Sequence, residues 1–284
     1  MTPDERWLAA LWPSVRAALP SPPARVLEIG CGPLGGFVPM LRADGYAATG
    51  IDPEAPEGAD FRRTGFEDYR PSRPADAIIA CTSLHHVADL GRVVDLAAAA
   101  LVPAGVLVVV EWARERFDEA TARWCFARLP SGADRGWLND RFEQWQASGQ
   151  SWDAYVRSWA DGESLHSGED ILRALRARFE TRELGYAAYF FAELSDTSEA
   201  DELAAIETGQ IRANRIRYHG TRRESLRCTA ATPVSGAHRN ARPVGWPAQR
   251  SGLRATGYAD ARADFRHSGT IRTRSKGVDA SSTL

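Results

Sequence analysis

The chain has 284 residues, 44% of them hydrophobic, and a net charge of -2. That is enough apolar material for a sizeable core, with no overall charge to draw it toward nucleic acid or an anionic membrane. No apolar run approaches the ~20 residues that span a bilayer, and the acidic start Met1-Thr2-Pro3-Asp4-Glu5-Arg6 lacks the apolar stretch of a secretory leader. The four cysteines, Cys31, Cys81, Cys125 and Cys228, form no Cys-x-x-Cys pair. They suit reduced thiols in a cytoplasmic protein, with no disulfide framework and no metal site.

The predicted elements begin with an amphipathic helix over 3–19. Thr2 is placed to cap it, Pro3 suits its first turn, and Trp7, Leu8, Leu11, Trp12, Val15 and Leu19 recur at helical spacing. Pro13 is expected to kink it. A βα alternation follows: strand one at Arg25–Ile29, a helix at Phe37–Ala43, strand two at Ala47–Ile51, a short strand three at Phe61–Thr64, and strand four at Asp76–Cys81. An alanine-rich helix at Leu90–Leu101 ends at Pro103 and Gly105, and strand five runs Val106–Glu111. Strands apolar on both faces, alternating with helices, predict a parallel sheet covered on both sides.

The alternation stops at Trp112. Helices are predicted at Glu115–Leu129, Asp140–Ala147, Trp152–Ala160 and Glu169–Arg178, in a stretch holding six of the nine tryptophans. Two strand-like runs, Thr181–Phe191 and Ile211–Gly220, flank a helix at Glu199–Thr208 and are expected to finish the sheet with an antiparallel edge. From Ser225 the periodicity disappears. That segment carries ten Arg and Lys against three Asp, a charge of +7 that leaves residues 1–224 at -9. Its composition predicts a solvated, disordered tail or an aberrant end rather than a nucleic-acid arm.

The most informative stretch is Val26-Leu27-Glu28-Ile29-Gly30-Cys31-Gly32-Pro33-Leu34-Gly35-Gly36. It reads as a buried strand that ends in an acidic residue, opens into a glycine-rich turn and enters a helix. Such a turn lets the backbone approach a nucleoside-bearing ligand closely. A pyrophosphate sits at this point in dinucleotide sites, and a carboxylate there would repel it, so Glu28 argues against NAD.

Four landmarks in order carry a resemblance. Val26 to Gly32 resembles the first motif of class I S-adenosylmethionine-dependent methyltransferases. Gly50-Ile51-Asp52 resembles the acidic end of that family's second strand, and Asp76 to Val87, ending Leu84-His85-His86-Val87, its fourth-strand motif. Leu101-Val102-Pro103-Ala104-Gly105-Val106-Leu107 resembles the turn before its fifth strand. The resemblance covers residues 1–224, is strongest over 24–112, and points to the small-molecule subgroup. It implies an α/β, Rossmann-like, doubly wound seven-stranded sheet, mostly parallel with an antiparallel edge strand, and a helical cap at 112–178. One departure is visible: Leu34 stands where the family's third glycine falls, and the glycines come at Gly35 and Gly36, so the turn is one residue longer.

For the cofactor S-adenosylmethionine, Glu28 is expected to accept from the ammonium and offset the sulfonium. Gly30, Cys31 and Gly32 would form the turn. Asp52 would accept from the ribose hydroxyls, and Pro53 would pack on adenine. The loop at Phe66 and Glu67 is implied to meet adenine, and Cys81 and Thr82 to lie beside the sulfonium. His85 and His86 are the candidate bases, since neutral imidazole takes a proton near pH 7. Glu111 and Trp112 are expected to line the side of a small-molecule acceptor; the oligomeric state is not readable. A NAD(P)-dependent oxidoreductase, a nucleic-acid methyltransferase and a non-catalytic relative stay open as alternatives.

Overall fold

A computed structural model describes residues 1–132 and 135–223. The basic segment from Ser225, with Cys228, lies outside the described residues. The elements are α1 (Pro3–Ala18), β1 (Arg25–Ile29), α2 (Val38–Ala43), β2 (Ala47–Ile51), β3 (Phe61–Arg62), β4 (Ala75–Cys81), α3 (Leu90–Ala100) and β5 (Leu101–Trp112). They continue with α4 (Glu119–Phe126), α5 (Trp137–Ser148), α6 (Trp152–Gly162), α7 (Gly168–Arg178), β6 (Phe179–Ala187), α8 (Glu199–Glu207) and β7 (Arg215–Arg222).

The seven strands form one sheet in the order β3-β2-β1-β4-β5-β7-β6. β1 pairs in parallel with β2 and β4, and β4 in parallel with β5. β7 runs antiparallel to both β5 and β6. The antiparallel strand expected at the edge therefore lies one place in from it. β6 takes the edge and points the same way as the parallel strands.

Residue parity along the strands assigns side chains to faces. Val26 of β1, Ala77, Ile79 and Cys81 of β4, and Val108 and Val110 of β5 pack with Leu11 and Val15 of α1 and Val38 and Leu41 of α2. Leu27, Ile29, Ile78, Ala80, Leu107 and Val109 turn to the other face, against Val93, Val94 and Ala97 of α3 and Ile171, Leu172 and Leu175 of α7. Full burial of each such aliphatic chain stabilises by about 1.5–3 kcal/mol. Alternation then puts Glu28 on the α1 face and Glu111 on the α3–α7 face.

The predicted boundaries shift for identifiable reasons. Thr2 and Glu5 form a reciprocal cap at the start of α1, which runs through Pro13 as one helix. β5 begins at Leu101, pairs with Ala75, then leaves the ladder at Pro103–Gly105 and rejoins it where Val106 meets Ala77. The helix expected from Glu115 starts at Glu119, because the Asp118 side chain accepts from the Thr121 N–H at its N-terminus. α7, expected as part of the cap, packs its apolar face on the sheet core. The separate aromatic core is built by the end of β5 and the turn after it, α4, α5, α6 and the loop after β6, with Trp112, Phe117, Leu138, Trp145, Trp152, Tyr155 and Phe190.

Candidate functional site

The carboxyl ends of β1, β2, β4 and β5 bring the sequence-predicted residues to one edge of the sheet, where ligands bind in open α/β folds. At β1, Glu28 is 1% exposed, and both of its carboxylate oxygens accept from the Phe37 N–H, at 3.1 and 2.8 Å. Gly36, with φ +56°, lies directly against it: a Cβ there would stand 2.2 Å from Glu28 Oε1. The glycine displaced to position 36 is thus the one that lets the turn close on the acid. Glu28 anchors the turn and the start of α2 from below.

Asp52 at the end of β2 is 2% exposed. Its Oδ2 accepts from the Gly32 N–H at 3.0 Å, and its Oδ1 from the Glu54 N–H at 2.8 Å. The Gly30 N–H donates to Ile51 O at 2.8 Å, which ties the turn to β2. Cys31 is buried and faces Gly50, where a Cβ would come within 2.8 Å of its Sγ. Pro53 is half-buried beside Asp52. The Phe66 side chain, expected near adenine, instead packs in the core, 4% exposed and against Tyr69. Glu67 is half-buried on the same loop.

At β4, burial first, and then the charge of Glu28, push the Cys81 thiol up to about 12, with Trp7 as one hydrogen-bond partner. The thiol is therefore neutral and no nucleophile. Thr82 has φ +48° and donates its N–H to Val110 O at 2.8 Å. The Ser83 hydroxyl donates to Ile29 O at 2.9 Å, joining the exit of β4 to that of β1. His85 and His86 follow on a single 3-10 turn with their rings 4.1 Å apart. His85 is buried and His86 half-buried.

Glu111 is fully buried and does not line an open pocket as expected. Its Oε1 accepts from the Ser83 and Leu84 N–H groups at 2.7 and 2.6 Å. Its Oε2 pairs with His85 Nδ1 at 2.7 Å and accepts from the Trp112 N–H at 3.1 Å. Burial alone would raise its pKa. The His85 charge and hydrogen bond, with the backbone donors, outweigh that and hold it below the ordinary 4.5. From the other side, the His166 N–H donates to His85 O at 3.0 Å and its ring Nε2 pairs with Val87 O at 2.8 Å.

Trp112 is 1% exposed, also further inside than expected. It is ringed by Tyr189 (5.9 Å, interplanar 12°), Trp137 (5.8 Å), Trp159 (5.7 Å) and Phe117 (6.0 Å). Its indole Nε1 is buried without an acceptor, which costs about 1–3 kcal/mol where nothing compensates. Tyr189 and Trp7, 5.1 Å apart, complete this aromatic neighbourhood. Sequence reading missed both as site residues. Trp7 reads only as part of an amphipathic face, and Tyr189 as the interior of a strand that in fact ends at Ala187. Burial, and then the charge of Glu111, push the Tyr189 phenol well above its ordinary 10. Glu202, also missed, sits on α8, 0% exposed. It accepts from the N–H groups of Tyr189, Phe190 and Phe191 at 2.7–2.8 Å.

A separate cleft of about 390 Å³ opens between α4 and α8, lined by Trp124, Arg128, Asp196, Asp201 and Thr208 among others. None of the sequence-predicted site residues lines it. Among the described residues, no group of His, Cys, Asp and Glu is arranged to hold a metal ion, and no helix is long and apolar enough to cross a membrane.

Comparison with known proteins finds the following relatives. A ubiquinone biosynthesis O-methyltransferase of Bradyrhizobium sp. (strain ORS 278) is 26% identical over 176 residues, 52% of this chain and 68% of that protein. An S-adenosylmethionine-dependent methyltransferase structure from Mesorhizobium loti aligns with TM-score 0.48 and 19% identity, covering 75% of this chain and 98% of that one. An N-methyltransferase from Bradyrhizobium japonicum WM9, in complex with S-adenosyl-L-homocysteine, aligns with TM-score 0.45 and 18% identity, covering 78% and 89%. The methyltransferase domain family matches residues 5–178, more than half of the chain. This chain belongs to the methyltransferase domain family.

Proposed function

We propose that the chain transfers the methyl group of S-adenosylmethionine to an oxygen of a small molecule. The observation that carries the cofactor is the pair of buried carboxylates, Glu28 and Asp52, each holding one part of a glycine turn that contains no basic side chain. That pair of acceptors fits a cationic ligand with a sugar diol and disfavours a pyrophosphate. The choice of oxygen is supported by the O-methyltransferase relative and by the histidine at the end of β4.

S-adenosylmethionine supplies, when bound, a methyl group on a positively charged sulfur that leaves as a neutral thioether. The chain's own residues bind, orient and move a proton. Glu28 and Phe37 keep the turn in shape, and Asp52 stands ready for the ribose. Glu111 engages Nδ1 of His85, so when the ring is neutral with Nδ1–H donating its lone pair falls on Nε2. In this reading Nε2 takes the hydroxyl proton as the acceptor oxygen bonds to carbon, and Glu111 stabilises the imidazolium that results. His86 lies against His85.

Calorimetry tests the reading. The full chain should bind S-adenosylhomocysteine at micromolar concentration and NAD not at all. Tight NAD binding without S-adenosylhomocysteine binding overturns it in favour of an oxidoreductase. For the base, His85→Asn should lower kcat for methyl transfer by about 10²–10⁴-fold while leaving S-adenosylhomocysteine binding intact. An unchanged kcat removes His85 from that role.

A further inference from the structure

We propose that Trp112 recognises the methyl acceptor, its indole N–H donating to an oxygen of a neutral aromatic ring seated among the cap tryptophans. The proposal rests on the methyl-transfer reading above. Trp112 ends β5 beside the His85–Glu111 pair, its ring edge-on to His85 at 6.3 Å. It is 1% exposed, yet its Nε1 finds no acceptor.

The other buried tryptophans of the cap do find one. The Trp152 Nε1–H donates to Phe117 O at 2.6 Å, and that of Trp145 to Gln150 O at 2.9 Å. The Trp112 backbone N–H is also satisfied, by Glu111. Buried polar groups are nearly always paired. Other buried atoms, such as Asn214 Oδ1 and Arg215 Nε, also lack a hydrogen-bond partner. That of Trp112 stands beside the His85–Glu111 pair at the reactive edge of the sheet, which points to a partner that arrives with the substrate.

The surroundings define that partner's chemistry. Tyr189, Trp137, Trp159 and Phe117 surround the indole with flat apolar faces, which favours a flat ring as ligand. Glu111 lies on one side of these rings, and the Arg141 guanidinium stands 4.8 Å over the Trp159 ring on the other. With charge of both signs at the walls, neither an anionic nor a cationic ligand is favoured over a neutral one. An ammonium group also has no lone pair for the indole N–H. A neutral ring bearing oxygen, of the phenol class, meets all three conditions. Trp137 and Trp159 are only half-buried, so they are the walls that such a ring displaces on entry.

The experiment uses the full chain saturated with S-adenosylhomocysteine and ¹⁵N-labelled on tryptophan. Phenol is the probe; cyclohexanol, toluene and ethylamine are the comparisons. The Trp112 indole peak is assigned as the one missing in Trp112→Phe. Phenol should move that peak downfield and bind about ten-fold more tightly than cyclohexanol or toluene, the ratio expected when a stacking face or a hydrogen bond is lost. Trp112→Phe should weaken phenol about ten-fold and leave S-adenosylhomocysteine affinity unchanged within about two-fold. An unmoved peak in the wild-type chain, equal phenol binding by the variant, or tighter binding of ethylamine than of phenol overturns the proposal. An unmoved peak with intact S-adenosylhomocysteine binding overturns this inference alone. Failure of the wild-type chain to bind S-adenosylhomocysteine overturns the methyl-transfer reading with it.

Discussion

His85 and Glu111 meet through a 2.7 Å contact between Nδ1 and Oε2, with side chains 5% and 0% exposed. The other oxygen of Glu111 accepts from the two residues before His85 in the chain. One carboxylate from β5 therefore shapes the whole exit of β4, including the turn that carries both histidines.

Replacing that carboxylate should be costly. Glu111→Gln presents an amide N–H₂ to donors that need an acceptor, and should destabilise the fold by about 2–4 kcal/mol in urea titration at pH 7. Because the Glu111 pKa is held below 4.5 in the folded chain, its contribution is present above that value. It is lost as pH falls through the lower folded value. The acid limb of the stability curve should be shallower in the variant, and equal acid limbs would count against the pairing.

Glu202 has the opposite sign. Burial raises its pKa from 4.5 to about 7, against the pull of three backbone N–H groups and Arg215. The folded state holds this proton more tightly than the unfolded state. Its stabilisation is complete below 4.5 and fades as pH rises to about 7, by up to about 3 kcal/mol. Glu202→Gln should flatten that part of the curve relative to the wild type between pH 5 and 8, as followed by thermal melts. Parallel curves would reject the assignment.

Gly36→Ala should fail locally. It places a side chain at φ +56° and a Cβ 2.2 Å from the Glu28 carboxylate. The expected loss is about 2–4 kcal/mol of stability, with weakened S-adenosylhomocysteine binding. Gly132→Ala, where a Cβ meets nothing within 4 Å although φ is +70°, isolates the backbone strain. A similar loss in both variants would falsify the contact with Glu28.

Asp52→Ala should weaken S-adenosylhomocysteine binding by on the order of 1–3 kcal/mol, read by calorimetry. The same variant frees the Gly32 N–H, so a small drop in melting temperature should accompany it. Unchanged affinity rejects a ribose contact.

Much of the architecture was legible because a parallel sheet writes itself locally. Continuous apolar strands, glycine breaks and helical spacing identified β1, β2, β4, β5 and the helices between them. The edge was less so. β6 and β7 read as equivalent strands, and only their hydrogen-bond register shows which lies inside. The end of β6 was overrun because Tyr189–Phe191 is as apolar as a strand, while Glu202 captures its N–H groups into a turn.

At the site, the sequence by itself determined the chemistry at hand: an acid and glycines after β1, an acid after β2, and paired histidines after β4. Each signal lies at the end of its own strand, where local pattern reveals it, and their order along the chain carries the family resemblance. The tertiary structure decided what each group does. It set the Glu28 carboxylate under Phe37 and Gly36, turned Phe66 into the core, buried Glu111 behind His85, and gathered Trp7, Trp112 and Tyr189 from three distant segments. A side chain's role follows from which donors and rings surround it. Those partners come from segments that meet only when the sheet is assembled and packed.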